Sequence, residues 1–413
     1  MSDSFIQTFL LKVAARCNIN CDYCYEYKLA DQSWRRKPPR MSIDVLDQTI
    51  NRIKEHVLAH ELKGVSIIFH GGEPLLAGKD FFEYAVSQIK AQLEDICSVK
   101  FGMQSNGILL NSNWVTLLSR LKINIGISLD GYKELNDKHR LDYKGNSTFP
   151  QVEKALKLLF QPQYSEIRGG LLCVIQPDSN PIKLLEWFSK FGNTQIDFLF
   201  PHYNHYRKPP SKYDELYGYG YGLWLSRLFD YWWDNDIEGI KIRIFEDLMH
   251  LMIGGKYAVE AFGLSSVHLT VVQTDGEYEA VDSLKSTYDG AVSTSKNVFR
   301  HSFDDIFSEY LISSRIAKFE NLSEKCRQCR LVKACGGGYI PHRYHPKLGF
   351  DSPTIYCQDL IFLIEHIEQR LLLVLDDEMK NKMITTIGTN QALPQVICKN
   401  QDTTLHNTVS DNS

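Results

Sequence analysis

The chain lacks the features that mark exported, membrane-embedded or nucleic-acid-binding proteins. Its 413 residues contain 46 Lys and Arg against 50 Asp and Glu, with no basic block that would predict a nucleic-acid or membrane surface as partner. No apolar run approaches the length of a membrane span, and residues 1–8 lack the basic and apolar regions of a signal peptide. Internal repeats are absent as well. We therefore predict a soluble, cytoplasmic protein with neither a nucleic-acid nor a membrane partner.

Cysteine is plentiful, but its spacing argues against a disulfide framework. In a reducing compartment the ten cysteines are not expected to pair, and their uneven distribution favours metal sites. They fall into three sets: Cys17, Cys21 and Cys24; Cys326, Cys329, Cys335 and Cys357; and the isolated Cys97, Cys173 and Cys398. We interpret the isolated cysteines as small buried hydrophobic residues.

Apolar runs of strand length alternate with helical patterns between residue 8 and about residue 200. The predicted strands are 8–14, 65–69, 99–104, 123–129, 167–175 and 195–200, and the amphipathic stretches between them include 43–59, 80–93 and 152–160. Six β-then-α units imply a parallel sheet, which right-handed crossovers would curl into a partial (β/α)6 barrel. The sequence therefore predicts an α/β fold.

Beyond the Pro209 and Pro210 pair the pattern changes. We predict a barrel at 1–210, a helical linker at 211–263, a smaller domain at 264–380 and a disordered tail at 381–413. The helices predicted in the later parts are 213–233, 242–253 and 358–375, and strand and turn signals lie at 273–283. The tail is polar, aperiodic and rich in Asn and Thr, which is typical of a segment that cannot bury a core.

The first cysteine set follows the first predicted strand directly. Cys17, Cys21 and Cys24 therefore project from the loop at the C-terminal end of that strand. Three cysteines ligate three irons of a 4Fe-4S cube and leave the fourth iron open to a chelating substrate, whereas a four-cysteine site is coordinatively closed. A zinc site that borrows a fourth ligand from elsewhere is the alternative.

Polar residues and glycines follow the next three predicted strands. The segment 71–74 (Gly-Gly-Glu-Pro) follows the second strand, Gln104 and Asn106 end the third, and Ser128 and Asp130 end the fourth. The two glycines would permit close approach to a ligand, and Glu73 offers a carboxylate. Ligand sites in parallel barrels gather at the C-terminal ends of the strands, so these residues predict one shared site.

The motif Cys-x3-Cys-x-Tyr-Cys followed by Gly-Gly-Glu-Pro resembles the radical S-adenosylmethionine superfamily over roughly residues 8–200. The resemblance implies a radical-generating 4Fe-4S cluster on the first cysteine set, with the amine and carboxylate of S-adenosylmethionine on its fourth iron. By the same resemblance the cofactor-binding residues are Gly71, Gly72, Glu73 and Pro74 at the amine, Asn106, Ser128 and Asp130 near the ribose and carboxylate, and Tyr25 beside the adenine.

The second cysteine set supplies four thiolates, which suits a closed cluster that moves electrons without binding substrate. Zinc is again the alternative. The run Cys326-x2-Cys329-x5-Cys335 resembles the SPASM extension of peptide-modifying radical enzymes, which holds two auxiliary clusters. Here the next ligand position is Tyr339, and residues 274–282 contain no cysteine. The resemblance therefore implies one auxiliary 4Fe-4S cluster, held by Cys326, Cys329, Cys335 and Cys357, and two 4Fe-4S clusters in all.

Three further segments, 30–36, 281–288 and 335–344, resemble the cyclophane-forming radical SAM/SPASM peptide maturases, the three-residue cyclophane or triceptide group. This implies a precursor peptide as substrate, a crosslink from an aromatic ring to the β-carbon two residues later, and a reductant such as flavodoxin or ferredoxin. The alternatives are another SPASM reaction, namely thioether formation in sactipeptides or sulfatase maturation, and a non-enzymatic scaffold or electron carrier.

Two polar segments have more than one interpretation. The acidic hairpin at 275–282 is either a solvated face or the source of a base, with Asp282 as the candidate that takes the proton an aromatic ring loses on substitution. His342, Arg343 and Tyr344 form either a packed turn with a surface cation or a group near the cluster or the peptide.

Overall fold

The structure of the protein is a computed structural model that describes residues 5–210, 218–235, 237, 239–256 and 260–388. The strands are β1 (Thr8–Ala14), β2 (Gly64–Gly71), β3 (Ser98–Ser105), β4 (Ile123–Ser128), β5 (Arg168–Val174), β6 (Thr194–Leu199), β7 (Ile240–Ile242), β8 (Leu269–Val272), β9 (Glu277–Glu279) and β10 (Ser293–Asn297).

The α-helices are α1 (Ile43–Ala59), α2 (Lys79–Leu93), α3 (Ser112–Leu121), α4 (Lys133–His139), α5 (Phe149–Leu159), α6 (Pro181–Ser189), α7 (Tyr221–Asn235), α8 (Arg243–Met252), α9 (Tyr310–Ile316), α10 (Glu324–Arg327), α11 (Val332–Cys335), α12 (Ile340–Arg343), α13 (Cys357–Val374) and α14 (Asp377–Ile387). Short 3-10 helices lie at Ser33–Arg36, Pro74–Ala77, Pro162–Ile167, Asp282–Ser286 and Asp304–Ile306.

The strands that the structure describes form one sheet in the order β10-β9-β8-β1-β2-β3-β4-β5-β6-β7. Strands β1 to β6 are parallel neighbours in sequence order, and helices lie between them along the chain. The predicted parallel α/β fold is therefore confirmed. The sheet is open, with β10 and β7 at its edges, as a partial barrel requires.

The helices form where the sequence provides both an apolar face and a capping residue, as α1 shows. In α1 the buried residues include Val45, Ile50, Ile53 and Val57, so one face of the helix covers the sheet. The Ser42 side chain accepts a hydrogen bond from the backbone N–H of Val45, which satisfies a donor at the start of the helix. Local periodicity and local caps thus fix this helix, which is why the sequence predicts its bounds.

The sheet is wider than the six predicted strands. β7 comes from the predicted linker and pairs with β6, while β8 comes from the predicted third part and pairs parallel with β1. β9 and β10 continue the sheet by antiparallel pairing. The sheet thus continues across the boundaries predicted at 210 and 264. The sequence did not indicate this, because strand pairing between distant segments leaves no local signal. The division into domains remains a prediction.

Two predicted element ends also differ from the structure. Helix α7 begins at Tyr221, whereas the prediction began at 213, and residues 211–217 lie outside the described residues. The predicted tail began at 381, but α14 continues to Ile387 because Asp376 caps it and Met383 and Ile387 are buried. The rest of that predicted tail, with Cys398, lies outside the described residues. No helix in the described part of the chain is long and apolar enough to cross a bilayer.

Candidate active site

A cavity of about 670 Å³ opens at the C-terminal ends of β1 to β6 and extends to residues of the later segments. Most of the metal-ligating and cofactor-binding residues predicted for the first site line it, as does the predicted proton acceptor Asp282: Cys17, Cys21, Cys24, Tyr25, Gly71, Gly72, Asn106, Ser128, Asp130 and Asp282. Glu73 and Pro74 do not reach its wall. The structure thus brings together residues that are up to 265 positions apart in the chain.

The three thiols of the first set form one electrostatic group. Burial, with a smaller contribution from the neighbouring thiols, raises the pKa of Cys17 and of Cys24 to about 12. These thiols therefore lose their protons only when a cation balances the thiolate charge. An iron–sulfur cluster would supply that positive charge and release the protons on assembly.

Glu73 has a different place from the one the sequence suggested. It is fully buried, and its carboxylate accepts hydrogen bonds from the Ser105 hydroxyl at 2.8 Å and the backbone N–H groups of Asn106 at 2.8 Å and Leu75 at 3.1 Å. Burial raises the pKa of Glu73 to about 7. The carboxylate therefore ties the ends of β2 and β3 together instead of facing the cavity.

The two glycines after β2 pack closely against the backbone that leads from β1 to Cys17. A Cβ on Gly71 would lie 2.2 Å from the carbonyl oxygen of Ala14, and one on Gly72 would lie 2.4 Å from that of Arg16. The backbone N–H of Gly72 donates to Ala14 and that of Glu73 to Arg16. Glycine here lets the β2 loop support the loop of Cys17.

The remaining predicted cofactor-binding residues differ in how many of their polar groups already form hydrogen bonds within the protein. The amide nitrogen of Asn106 lies 3.6 Å from Sγ of Cys17, directly beside the first cysteine set. Ser128 accepts a hydrogen bond from Gln104 at 2.8 Å. Asp130 accepts from the hydroxyl of Tyr23 at 2.7 Å and from the backbone N–H of Val174 at 3.2 Å, so both of its oxygens already have protein partners.

Asp282 lies in a buried charge network that sequence reasoning missed. Nζ of Lys12 is 2.7 Å from the Asp282 carboxylate and 2.9 Å from Glu26. Nζ of Lys285 is 2.7 Å from Glu26 and 3.5 Å from Glu279. The signal available in the sequence was Lys12 itself, a lysine inside an apolar strand, which is rarely buried without a charge partner.

This network corrects the interpretation of the acidic hairpin as a solvated face. Glu279 and Asp282 are buried, whereas Asp275 and Glu277 are partly exposed and pair with Lys37. Burial alone would raise the pKa of Asp282, but Lys12 and His70 hold that pKa below its ordinary value. Asp282 is therefore an ionised carboxylate at the cavity wall, and the hydroxyl of Tyr25 donates to it at 3.0 Å.

Aromatic rings form the part of the wall next to Asp282. The ring of His202 lies 4.9 Å from that of Tyr25, 6.0 Å from Tyr339 and 5.7 Å from His342, and His342 lies 5.1 Å from Tyr356. All five side chains line the cavity. Burial lowers the pKa of His202 to about 4 and also holds that of His342 well below its ordinary value, so both imidazoles are neutral near pH 7. We call these five residues the aromatic wall.

The second cysteine set lines a smaller cavity of about 70 Å³. Its four cysteines share that cavity with apolar residues that include Leu331, Val332, Ile361 and Ile364. Burial, with smaller contributions from the thiols of Cys357, Cys326 and Cys329, raises the pKa of Cys335 to about 12. Four cysteines around a small, mainly apolar space fit a closed iron–sulfur cluster.

Comparisons with known proteins agree with this geometry. The model of the Radical SAM superfamily matches residues 11–187. The chain is 26% identical over 377 residues to a cysteine-type anaerobic sulfatase-maturating enzyme of Clostridium perfringens (strain 13 / Type A), covering 88% of this chain and 97% of that protein.

Solved structures show the same fold over most of the chain. Native anSMEcpe with bound AdoMet and Cp18Cys peptide has a TM-score of 0.75 and 25% identity, covering 89% of this chain and 98% of that one. Streptococcus suis SuiB bound to the precursor peptide SuiA has a TM-score of 0.55 and 15% identity, covering 85% and 76%, and this likeness bears on the fold alone.

Proposed function

We propose a carbon–carbon crosslinking reaction for this chain, which is a radical S-adenosylmethionine enzyme that uses that cofactor and iron–sulfur clusters and acts on peptides or proteins. In the proposed reaction an aromatic ring in a ribosomally made precursor peptide is joined to the β-carbon of the residue two positions later.

The observation that carries this proposal is the convergence of the three segments that resemble cyclophane-forming maturases. The backbone N–H of Asp31, in segment 30–36, donates to the carbonyl of Lys285, in segment 281–288. Ser283 hydrogen-bonds Tyr339, in segment 335–344. Trp34, Asp282, Ser283, Tyr339 and His342 all line the large cavity. Residues far apart in sequence thus build one continuous side of the substrate space.

The aromatic wall suits a substrate that carries an aromatic ring. Ring pairs prefer offset or edge-on contacts with centroids about 4.5–7 Å apart and gain about 0.5–1.5 kcal/mol beyond area burial. Tyr339 also occupies the position at which the SPASM pattern has a cysteine. An aromatic side chain that can contact such a substrate is therefore present here in place of a cluster ligand. We propose that the aromatic wall holds the substrate ring close to the first cysteine set.

When bound, S-adenosylmethionine and the first cluster supply a radical that abstracts a hydrogen atom. We assign the first cysteine set to that cluster and the residues around Asn106 to the cofactor. The peptide loses one hydrogen atom from the β-carbon, a bond forms between that carbon and the ring, and the ring then loses one proton and one electron. The four cysteines of the second set would hold the auxiliary cluster, which would supply the acceptor for this electron, and a flavodoxin or ferredoxin would be the reductant.

Asp282 is the proposed acceptor of the proton from the ring. Its lowered pKa makes it a weak base, but a proton on a carbon that is about to regain aromaticity is strongly acidic, so an ionised carboxylate suffices. Lys12 balances the charge of Asp282, and the Tyr25 hydroxyl orients it.

A second candidate function is the oxidation of a cysteine or serine in a sulfatase. The similarity to the sulfatase-maturating enzyme of Clostridium perfringens over nearly the whole of both chains favours it. This reaction would leave an aldehyde in the substrate, whereas a crosslink leaves none.

The test uses short aromatic-rich precursor peptides encoded beside the gene, incubated anaerobically with the purified enzyme, S-adenosylmethionine and a strong reductant. We expect a product lighter by two hydrogen atoms, with methionine and 5'-deoxyadenosine formed alongside. Replacing the aromatic residue of the peptide with Ala should abolish the mass loss. Deuterium placed on the acceptor β-carbon should appear in 5'-deoxyadenosine.

Other results would replace the proposal. A mass loss that follows a peptide cysteine, or a label that leaves an α-carbon, would indicate thioether formation. A product that reacts with a hydrazide probe, formed from a sulfatase peptide, would indicate the sulfatase reaction. The control is the same peptide with a non-aromatic residue outside the three-residue motif replaced by Ala, which should still be crosslinked.

A further inference from the structure

The three tyrosines of the aromatic wall have hydrogen-bond partners within the protein. Their hydroxyl groups bond as follows: Tyr25 donates to Asp282 at 3.0 Å, Tyr356 donates to the carbonyl oxygen of Pro201 at 2.8 Å, and Tyr339 bonds the hydroxyl of Ser283. A substrate that needed the hydrogen of Tyr25 or Tyr356 would have to break one of these bonds.

The two histidines of the aromatic wall differ from the tyrosines, because each has a buried ring nitrogen without a partner. Among the described residues, neither Nδ1 of His202 nor Nε2 of His342 forms a hydrogen bond. Tyr27 and His70 also have such an atom at the large cavity, but neither belongs to the aromatic wall. The rings of His202 and His342 lie 5.7 Å apart, both side chains line the cavity, and His342 is only 5% exposed. The wall therefore offers two neighbouring imidazoles whose hydrogen-bonding capacity the protein leaves unused.

Hydrogen bonds to neighbouring segments fix the turn that carries His342. The next residue, Arg343, is not the surface cation that the sequence allowed, because it is buried and its guanidinium donates to the carbonyl oxygens of Phe350 and Asn321. The backbone N–H of Ile355 donates to the carbonyl oxygen of His342 at 2.9 Å. The backbone thus holds the imidazole of His342 at the cavity wall.

The surroundings of the two imidazoles indicate what kind of group can bind them. Each neutral imidazole carries one N–H donor and one nitrogen lone pair. The ring of Tyr25 lies 4.9 Å from that of His202, and the ring of Tyr356 lies 5.1 Å from that of His342. A partner must therefore fit against aromatic rings and carry a hydrogen-bonding group of its own. The indole of a Trp and the phenol of a Tyr meet both conditions, whereas the ring of a Phe meets only the first.

We propose that His202 and His342 determine which aromatic residue of the peptide is bound for crosslinking, because an imidazole nitrogen accepts the polar hydrogen of a Trp or Tyr ring. The inference rests on the proposed function, in which the aromatic wall holds the substrate ring, and it adds the chemical class of that ring. Since the protein supplies no partner for these nitrogens, the substrate forms this hydrogen bond without breaking one inside the protein. A Phe ring can occupy the same space but gains no such bond.

The experiment measures binding without turnover. The anaerobic holoenzyme, with S-adenosylmethionine but no reductant, is titrated calorimetrically with a short precursor peptide that contains a single aromatic residue. Two pairs of peptides are compared: Tyr against Phe, and Trp against β-(3-benzothienyl)alanine, which has the shape of Trp with sulfur in place of the N–H group. In at least one pair the peptide with the polar hydrogen should bind about tenfold more tightly or better, since a site that hydrogen-bonds an N–H or O–H group rejects an analogue without it. Equal affinities in both pairs, or no binding of any peptide, would overturn the inference.

Variants of the two histidines assign the preference to its residues. His202→Phe and His342→Phe each keep an aromatic ring but remove the ring nitrogens, and at least one of them should abolish the difference within the pair. The ratio of two affinities is insensitive to a general loss of binding, so a merely structural role would leave it unchanged. His205→Phe is the matched control, because His205 lies in the same loop as His202 but donates to the carbonyl oxygen of Pro353 at 2.8 Å and does not line the cavity. The control should keep the full preference.

A preference that survives in both histidine variants, or that is lost equally in the control, would overturn the inference. If one histidine variant loses its iron, the other decides, and if both do, the peptide pairs on the unaltered enzyme decide. Preferential binding of a peptide that is never crosslinked would contradict the proposed function and leave this recognition standing. Crosslinking without any preference within the pairs would leave the proposed function standing and overturn the inference.

Discussion

The two cysteine sites are built on opposite plans. The first places three cysteines at the edge of a cavity of about 670 Å³ whose wall carries buried ionised groups and aromatic rings. The second places four cysteines around a cavity of about 70 Å³ whose other walls are mainly apolar. Both sites offer thiols, so the difference between them lies in their surroundings, and that difference supports the proposal of chemistry on a bound molecule at the first site and of electron exchange alone at the second.

The comparison also shows where each site keeps its charge. In the first, Lys12 and Lys285 are neutralised by Glu26, Glu279 and Asp282, and these groups lie close to the substrate space. Arg343, which follows Cys335 in the chain, is also buried, but it donates to carbonyl oxygens instead of carboxylates. The buried cations of the first site are thus balanced by carboxylates, whereas the acceptors of Arg343 are neutral.

The largest expected effect comes from removing a ligand of the first site. Cys17→Ala, Cys21→Ala or Cys24→Ala should each abolish the release of 5'-deoxyadenosine under strong reductant, because the cluster with the open iron is lost. Cys326→Ala should still release 5'-deoxyadenosine but form no crosslinked product, with iron falling from about eight to about four per chain. Chromatography of the reaction mixture and an iron assay measure both.

The proposed difference between the two sites would be wrong if variants of both cysteine sets had the same effect on cofactor cleavage. If Cys326→Ala lost cofactor cleavage while keeping the first cluster, the second site would be needed for radical formation. If a first-site variant kept normal cleavage, the assignment of the open iron to these cysteines would be wrong. Iron near twelve per fully loaded chain would contradict the count of two clusters.

A smaller effect is expected from Asp282→Asn. The substitution removes the proposed proton acceptor while Glu26 still neutralises Lys12, so the rate of product formation should fall by roughly 10²–10⁴-fold, as is typical for a lost general base. Cofactor cleavage should persist. The measurement is the kcat and the KM of crosslinking, and we expect the loss of activity to appear in kcat and not in KM.

Asp275→Asn is the matched control for that variant. Asp275 belongs to the same hairpin but is partly exposed, pairs with Lys37 and does not line the cavity. Its crosslinking rate should stay near that of the unaltered enzyme. If both variants lost activity equally, the loss would come from the hairpin as a whole, and Asp282 would have no separate role at the first site.

Local patterns in the sequence predict the local parts of this fold well. The bounds of β1 and α1 follow from an apolar strand next to the cysteines and from an apolar face with a serine cap. Because side-chain periodicity reports only which face is buried, it cannot show that β8 pairs with β1 across more than 250 residues. The width of the sheet was therefore missed.

The same limit applies to the candidate site. Clustered cysteines predict a metal site from spacing alone, since chain geometry forces them together. The partners of Asp282 and the burial of Arg343 depend on contacts between distant segments and became visible only in the structure. Glu73 illustrates the reverse case: its position after a strand suggested a ligand contact, but long-range hydrogen bonds to Ser105 and Asn106 use its carboxylate.

The smallest effect is expected from the cysteines that belong to neither site. Cys173 is fully buried in β5 and Cys97 is buried just before β3, and burial raises the pKa of both thiols, so both remain protonated. Cys97→Ser and Cys173→Ser should leave the iron content unchanged. Cys173→Ser should lower the free energy of unfolding by about 1–3 kcal/mol, because a hydroxyl replaces a weakly polar thiol in an apolar environment. Anaerobic denaturant unfolding and an iron assay test this, and a loss of about four irons in either variant would mean that the division into two cysteine sites is incomplete.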